Sequence, residues 1–339
     1  MKVGLIGTAA VAHKHAQAYK KLGFELVVCS NRNEERGRKF AEQYGAEFVV
    51  GFEQVCEDPR IDCVDLCTFP EFRLEPLTLA ARAGKHFLVQ KPIAVNLDVA
   101  RRMIHVAENA GITLGVVSQH RFDKSSQFLM RALREQRLGR ILQCDCYLKW
   151  FRSQEYYGRP EKGSWKTEGG GVLINQAIHP IDLIRWFAGP VKSVFGMWQL
   201  AATHRIESED VVSAVLQYES GATGVIQAST AVLPGYPERI EIHGTKGTAV
   251  VTGDRLSVWD VAADTGEKPE LENIAKSGAS DPLAISLESF ELQFQDFADS
   301  IREGREPLVS GKAAFDALAI VEAVYRSCRS GLLTAVEQL

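Results

Sequence analysis

The chain has 339 residues, enough for two domains that each bury a core without disulfide or metal staples. Hydrophobic residues are 45% and charged residues 24%, an ordinary globular composition that excludes a disordered, collagen-like or coiled-coil chain. Lys plus Arg number 39 against 43 Asp plus Glu, a net charge of −4, which leaves no bulk positive field to hold a nucleic acid. Residues 1–120 repeat one unit, a short β-branched run followed by a turn and an amphipathic stretch. Strand-like runs fall at 2–6, 26–29, 48–50, 63–68, 87–89 and 113–117, and helix-like stretches at 11–21, 34–44, 76–83 and 97–110. Apolar strands separated by helices of this length predict βαβ units and a parallel sheet covered on both faces. Gly23, Gly45, Gly84 and Gly111 sit just past the periodic stretches, where helix-ending glycines belong.

The pattern changes after about residue 140. Alternating runs follow at 141–150, 191–200, 211–218, 223–230, 239–243, 248–251 and 256–259. Turn signals lie between them at Glu219-Ser220-Gly221, Thr245-Lys246-Gly247 and Gly253-Asp254. This predicts a large, mainly antiparallel open sheet. A helix over 172–187 would cover one face, and helices near 286–302 and 312–330 close the chain. The predicted architecture is an α/β Rossmann domain over 1–122 and an α+β substrate-binding and oligomerisation domain over 123–339, whose C-terminal helix is free to pack back on the first. The polar segment 276–282 is expected to be a mobile loop. An open sheet with one uncovered apolar face predicts a homodimer or homotetramer.

The cysteines are Cys29, Cys56, Cys63, Cys67, Cys144, Cys146 and Cys328, an odd number set mostly in apolar runs such as IDCVDLCTF. They read as reduced, buried small hydrophobes of a cytoplasmic protein. Neither Cys63/Cys67 nor Cys144/Cys146 has CxxC spacing, so no metal site is expected. Met1-Lys2 leads straight into VGLIG, with no charged segment before a long apolar core, so no signal peptide is expected. No apolar run approaches the roughly 18 residues of a membrane span.

Gly4-Leu5-Ile6-Gly7-Thr8-Ala9-Ala10-Val11-Ala12 follows the first strand and opens a helix. A dinucleotide fold needs a tight turn there, close backbone approach to pyrophosphate, and close helix–strand packing. Gly7 fits the first position, Ala9 stands where glycine is usual, and Ala12 takes the third. The helix N-terminus would offer N–H groups to a pyrophosphate. The second strand ends at Ser30-Asn31-Arg32. Asn31 is neutral, and Arg32 supplies a forked cation suited to a 2′-phosphate, which favours NADP over NAD.

Two further segments carry chemistry. Gln90-Lys91-Pro92 ends the fifth strand, and the carboxyl ends of strands line the ligand crevice of a doubly wound sheet. The run Glu168-Gly169-Gly170-Gly171…Asn175…His179-Pro180-Ile181-Asp182 lets a backbone approach something closely and then enter a helix. Asn175 and His179 are four apart, so one continuous helix would put them on one face. Pro180 would break or restart the helix at the histidine. Asp182 is placed to orient His179 or to pair with Arg185. The histidines at 13, 15, 86, 105, 204 and 243 read as structural.

These segments together resemble the family of glucose–fructose oxidoreductase, inositol dehydrogenase and MocA-like proteins (Gfo/Idh/MocA) over essentially the whole chain. Gly7–Ala12 matches the family's glycine turn, Gln90-Lys91-Pro92 its Glu-Lys-Pro motif, and Gly169–His179 its glycine run with Asp-x-x-x-His. Ser118-Gln119-His120-Arg121-Phe122 and the segments at Phe297 and Arg305-Glu306-Pro307 also match. The chain departs at Ala9 for glycine, Gln90 for glutamate, Asn175 for aspartate, and Thr68-Phe69-Pro70 for Thr-Pro-Asn. The resemblance implies an NAD(P)-dependent dehydrogenase acting on a secondary alcohol of a sugar, cyclitol or related polyol. The implied cofactor contacts are Gly7, Thr8, Ala9, Ala10 and Val11; Ser30, Asn31 and Arg32; Thr68 and Phe69; and Gln90 and Lys91. His179 would serve as the base, since an unperturbed imidazole titrates near pH 6.5. Lys91 would stabilise the developing alkoxide, and Asn175 would orient a hydroxyl. That scheme requires Lys91 and His179 to meet beside the nicotinamide.

Aromatic and basic residues between the first strand of the open sheet and the glycine run suit a polyhydroxylated ligand, with or without an acidic group. Arg152 and Tyr156 are the expected substrate contacts, with His120, Arg121, Trp165, Asn175 and His179 around them; Tyr157 reads as core. Two alternatives stay open at this point: a glycosidase using transient NAD(P) redox, and an NAD(P)-binding sensor without catalysis.

Overall fold

The computed structural model describes residues 1–201, 203–271 and 286–339; the expected loop at 276–282 lies outside them. The chain forms two compact units, Met1–Gln119 with Ser286–Phe315, and His120–Ile285 with Asp316–Leu339.

In the first unit the order is β1 (Lys2–Ile6), α1 (Ala10–Leu22), β2 (Glu25–Ser30), α2 (Glu34–Tyr44), β3 (Glu47–Val49), α3 (Glu53–Cys56), β4 (Cys63–Leu66), α4 (Leu74–Arg82), β5 (His86–Val89), α5 (Leu97–Ala110) and β6 (Leu114–Val116). The six strands pair in parallel in the order β3-β2-β1-β4-β5-β6. Strand order reverses between β1 and β4, which is where a doubly wound sheet opens its ligand crevice. All four residues of β4 and the last four of β1 are buried, as a sheet with two covered faces requires. Gly23, Gly45 and Gly111 end α1, α2 and α5 in left-handed conformation, with φ of 69°, 73° and 66°.

The second unit begins with α6 (Lys124–Arg134), an amphipathic helix that the sequence patterns above do not single out, followed by β7 (Ile141–Lys149). The predicted helix over 172–187 is two helices, α7 (Val172–Asn175) and α8 (Ile178–Ala188). The break precedes His179 and does not fall at it. Pro180 is the third residue of α8, inside the first turn where a missing N–H leaves no bond unmade. Then come β8 (Val191–Gln199), β9 (Val211–Tyr218), β10 (Thr223–Ser229), β11 (Arg239–Gly244), β12 (Gly247–Thr252) and β13 (Arg255–Val261). Helix α9 (Leu287–Glu303) returns to the first unit. Helix α10 (Gly311–Ser330) starts there and ends in the second, before the short β14 (Thr334–Ala335).

The eight strands run in the order β13-β12-β11-β7-β10-β9-β8-β14. The β7–β10 pair is parallel and the others are antiparallel. Alternation is clearest in β9, where Val212, Ala214, Leu216 and Tyr218 are buried between exposed residues. A Cβ on Gly196 of β8 would meet Val324 and Cys328 of α10 at 3.0 and 3.1 Å, so that face is covered. Its neighbours Phe195 and Met197 point the other way and stay 38% and 67% exposed, with Val215, paired to Phe195, at 52%. All seven cysteines are free thiols, six of them buried and Cys328 half-buried.

Within the first unit, α9 lays Phe290 and Phe294 against His15 and Tyr19 of α1, with ring centroids 4.8–5.4 Å apart for three of these pairs. Each such ring contributes about 1.5–3 kcal/mol of burial. Gln293 of α9 donates Nε2 to Val116 O at 2.8 Å and accepts from the Ser118 amide at 3.1 Å, tying the helix to the end of β6.

Candidate functional site

In the first unit the candidate cofactor residues lie at the carboxyl ends of β1, β2, β4 and β5. Gly7 has φ +90°, and a Cβ there would sit 2.9 Å from Cys67 O, so the turn after β1 approaches the end of β4 too closely for any other residue. Ala9 is extended (φ −78°, ψ 180°), a conformation alanine adopts without strain. Helix α1 opens at Ala9 with no side-chain cap; Ala12 N–H donates to Ala9 O at 2.9 Å, and the N–H groups of Ala10 and Val11 before it face the N-terminal end, where an anion binds. Thr8 Oγ1 is buried without a hydrogen-bond partner, an orphaned donor in the same turn. Both observations fit a dinucleotide pyrophosphate held by Gly7–Val11. After β2, Asn31 donates to Asn33 O at 3.0 Å, and Arg32 lies exposed over the Phe72 ring at 5.1 Å. No carboxylate stands at Ser30, Asn31 or Arg32.

Lys91 is half-buried between two braced neighbours, and the Lys91–Pro92 peptide is cis. Gln90 donates Nε2 to His15 Nε2 at 2.8 Å, and His15 Nδ1 bonds Asp65 Oδ2 at 2.7 Å. Because the amide donates to Nε2, the ring carries its proton on Nδ1, toward the carboxylate. Tyr19 OH donates to the same Asp65 oxygen at 2.7 Å. Arg73 is buried and donates Nη1 to the carbonyls of Gln90 and Pro92, and Nη2 to Thr68 O at 2.7 Å. Burial pulls Arg73 down to about 9, still a cation at neutral pH. One guanidinium therefore clamps the backbone on both sides of Lys91 and the Thr68–Phe69 turn. His15, read from the sequence as structural, is structural in a specific way: it holds the residue before the lysine.

In the second unit, every residue from Glu168 to Ile184 is buried except Asn175 and His179. They sit on consecutive helices, not on one face of a single helix, yet both reach the surface. The His120 ring meets the His179 ring edge-on, with centroids 5.0 Å apart. Burial opposes a charge on His120, but Asp123, whose Oδ2 lies 2.7 Å from Nδ1, outweighs it, and the imidazole is pushed up to about 9. His179 thus faces a neighbouring imidazolium at neutral pH.

Arg152 is buried, with its guanidinium 4.7 Å from the Trp150 ring and 5.6 Å from the Tyr156 ring. Its carbonyl bonds His204 Nε2 at 2.7 Å, and His204 Nδ1 bonds Asp210 at 2.6 Å. Tyr156, Lys162, Glu168, Asn175 and Gln176 form one hydrogen-bonded cluster. Glu168 stands at the head of the glycine run but is given no role by the sequence, and nothing in the local pattern marks Lys162. Tyr157 is core, its hydroxyl 2.8 Å from Thr230 Oγ1.

The structure sends two expected substrate residues elsewhere. Arg121 donates Nε and Nη2 to Asp182 at 2.8 and 2.5 Å, and lies over the Trp186 ring. Asp182 thus carries Arg121, while Arg185 bonds Asp316 at 2.6 Å. Trp165 packs in a box with Trp198, Tyr325 and Arg329. The glycine run admits protein, not ligand: a Cβ on Gly170 would lie 2.2 Å from Tyr325 OH, and one on Gly171 would lie 1.8 Å from Glu209 O. Glu209 also caps α7, accepting from the amides of Gly171 at 2.8 Å and Leu173 at 2.9 Å.

Comparison with known proteins agrees with this architecture. Residues 1–118 match the oxidoreductase family with an NAD-binding Rossmann fold, and residues 127–250 match the GFO/IDH/MocA C-terminal domain. Myo-inositol 2-dehydrogenase of Thermotoga maritima is 26% identical over 100% of this chain and 99% of its own. D-apiose dehydrogenase of Paraburkholderia graminis is 29% identical over 100% of this chain and 90% of its own. The crystal structure of the WlbA dehydrogenase from Bordetella pertussis, in complex with NADH and UDP-GlcNAcA, is 28% identical and superposes with a TM-score of 0.87, covering 100% of this chain and 99% of that one. With both of its parts matched in order, a parallel dinucleotide sheet and then an open antiparallel one, the chain belongs to the Gfo/Idh/MocA family of oxidoreductases.

Proposed function

We propose that this protein oxidises a secondary alcohol of a sugar, cyclitol or related polyol, or reduces the matching ketone. The observation that carries this is that Asn175 and His179 alone are only half-buried within a buried run, with the His120 imidazolium against His179. The nicotinamide, when bound, supplies the hydride acceptor. His179 takes the hydroxyl proton through Nε2, since its Nδ1 is buried. Lys91 supplies a charge-assisted hydrogen bond to a developing alkoxide, and Asn175 orients a substrate hydroxyl. Arg152 and Tyr156 contact the remaining hydroxyls.

The cofactor preferred is NADP: the turn after β2 carries no carboxylate, and the Phe72 ring holds the Arg32 guanidinium in place. A panel of sugars and inositols assayed with NAD and with NADP at the nicotinamide absorbance band tests both statements. The expected result is a stoichiometric absorbance change with at least one polyol and a higher kcat/KM with NADP. Sugar release without net NAD(P)H would replace the dehydrogenase reading with transient redox, and a higher kcat/KM with NAD would remove the role of Arg32.

The protein also assembles with itself through the uncovered sheet face around Phe195, Met197 and Val215, an apolar patch of the kind that packs against a second copy. Light scattering at micromolar concentration is expected to give two or four times the 37.5 kDa chain mass. A monomer would contradict it.

A further inference from the structure

The cluster around Glu168 decides which way two polar groups face. Glu168 is buried, and its carboxylate accepts three hydrogen bonds. Lys162 Nζ donates to Oε1 at 3.0 Å, Asn175 Nδ2 donates to Oε1 at 2.7 Å, and the Gly163 amide donates to Oε2 at 2.7 Å. An ionised carboxylate only accepts, so the Asn175 amide turns its NH2 toward Glu168 and its carbonyl away. Burial disfavours a charge on Lys162, but Tyr156 and Glu168 outweigh it, and the amine is raised above its ordinary value. The ammonium also donates to Tyr156 OH at 3.2 Å, and Gln176 Nε2 donates to the same oxygen at 3.2 Å. Two donors fill the two lone pairs of a phenol, which leaves its own hydrogen to be given to something else.

We propose that Glu168 is the positioning residue of the substrate pocket: it presents Asn175 as an acceptor and, through Lys162, Tyr156 as a donor, a pair that selects a vicinal diol. The inference rests on the reading of Asn175 and Tyr156 as substrate contacts. One diol hydroxyl donates to Asn175 Oδ1, and the oxygen of its neighbour accepts from Tyr156. Glu168 is also the reason an amide stands at position 175, because a second carboxylate 2.7 Å from the first would face a like charge.

The test is a cycle of Glu168→Gln, Asn175→Asp and the double variant, on the full chain with cofactor and the best polyol of the panel. Glu168→Gln is expected to raise KM about tenfold or more, as loss of a hydrogen bond to a charged group does, with kcat changed less. Asn175→Asp alone places two carboxylates together, so kcat/KM gains an ionisation near neutral pH that the parent lacks. The double variant restores one carboxylate and one amide and is expected to recover most of the Glu168→Gln loss and to lose the added ionisation. A substrate deoxygenated at the neighbouring carbon should discriminate less between parent and Glu168→Gln than the diol does. The melting temperatures of the same four proteins report the 168–175 coupling whether or not any polyol is turned over. A double variant no better than Glu168→Gln, or a Glu168→Gln protein with lower melting temperature but unchanged KM and pH profile, overturns the proposal. An unaltered cycle alongside full turnover in His179→Ala would sink the proton-transfer reading instead and leave this one standing.

Discussion

His179→Ala is expected to lower kcat by on the order of 10²-fold or more, the usual cost of deleting a general base, while KM for the polyol moves little. In the proposed role the imidazole acts on a proton that leaves in the transition state, so its removal would read out in kcat. His120, held charged by Asp123, lies edge-on to His179 with ring centroids 5.0 Å apart. On the general-base reading, the acid limb of kcat/KM should report His179 in the parent and vanish from the residual activity of the alanine variant. The measurement is initial-rate kinetics from pH 5 to 9 at saturating cofactor. Turnover retained at the parent level would remove His179 from the mechanism, whatever else the fold supports.

Replacing Lys91 by methionine is the second large effect, a loss of about 10²–10³ in kcat, or roughly 2.7–4 kcal/mol, as for removal of one donor to a developing oxyanion. Methionine keeps most of the stem and removes only the ammonium. Lys91→Arg should not restore activity, because a planar fork does not replace a compact point charge held in one place. The place is well defined: Gln90 is pinned through His15 to Asp65, and the Arg73 guanidinium holds the carbonyls on either side of the lysine. Neither anchor uses the Lys91 side chain, so the backbone from Gln90 to Pro92 should keep its place in the variant. Cofactor affinity, followed by titration of nicotinamide fluorescence, separates a binding loss from a catalytic one. An unchanged kcat with weaker cofactor binding would make Lys91 a cofactor contact only.

Several parts of this molecule were legible residue by residue. The strands from 2–6 to 113–117 were readable because a parallel strand is buried on both faces and so appears as a short unbroken apolar run, as in CVDL of β4. The ends of α1, α2 and α5 were readable because only glycine adopts φ near +70° at no cost. The open sheet showed itself through the strict alternation of β9. Helix α6 did not, since its apolar residues bunch at Phe128, Leu129 and Met130, and a short bunch of that kind is ambiguous between helix and strand.

What local pattern determined, then, was the order of the strands and of most helices, the covered and open faces of the two sheets, and which motifs carry a lysine and a histidine of the kind an oxidoreductase needs. Only the tertiary structure decided who holds them. The carboxylate on Asn175 comes from Glu168 and the cap on α7 from Glu209, while the brace on Gln90 comes from His15, 75 residues away. It also sent Arg121 to Asp182, 61 residues on. The physical reason is that burial and backbone periodicity are properties of a segment, written into its own residues. A buried hydrogen bond or ion pair belongs to two segments at once, and its partner is chosen by the packing that brings them within 3 Å.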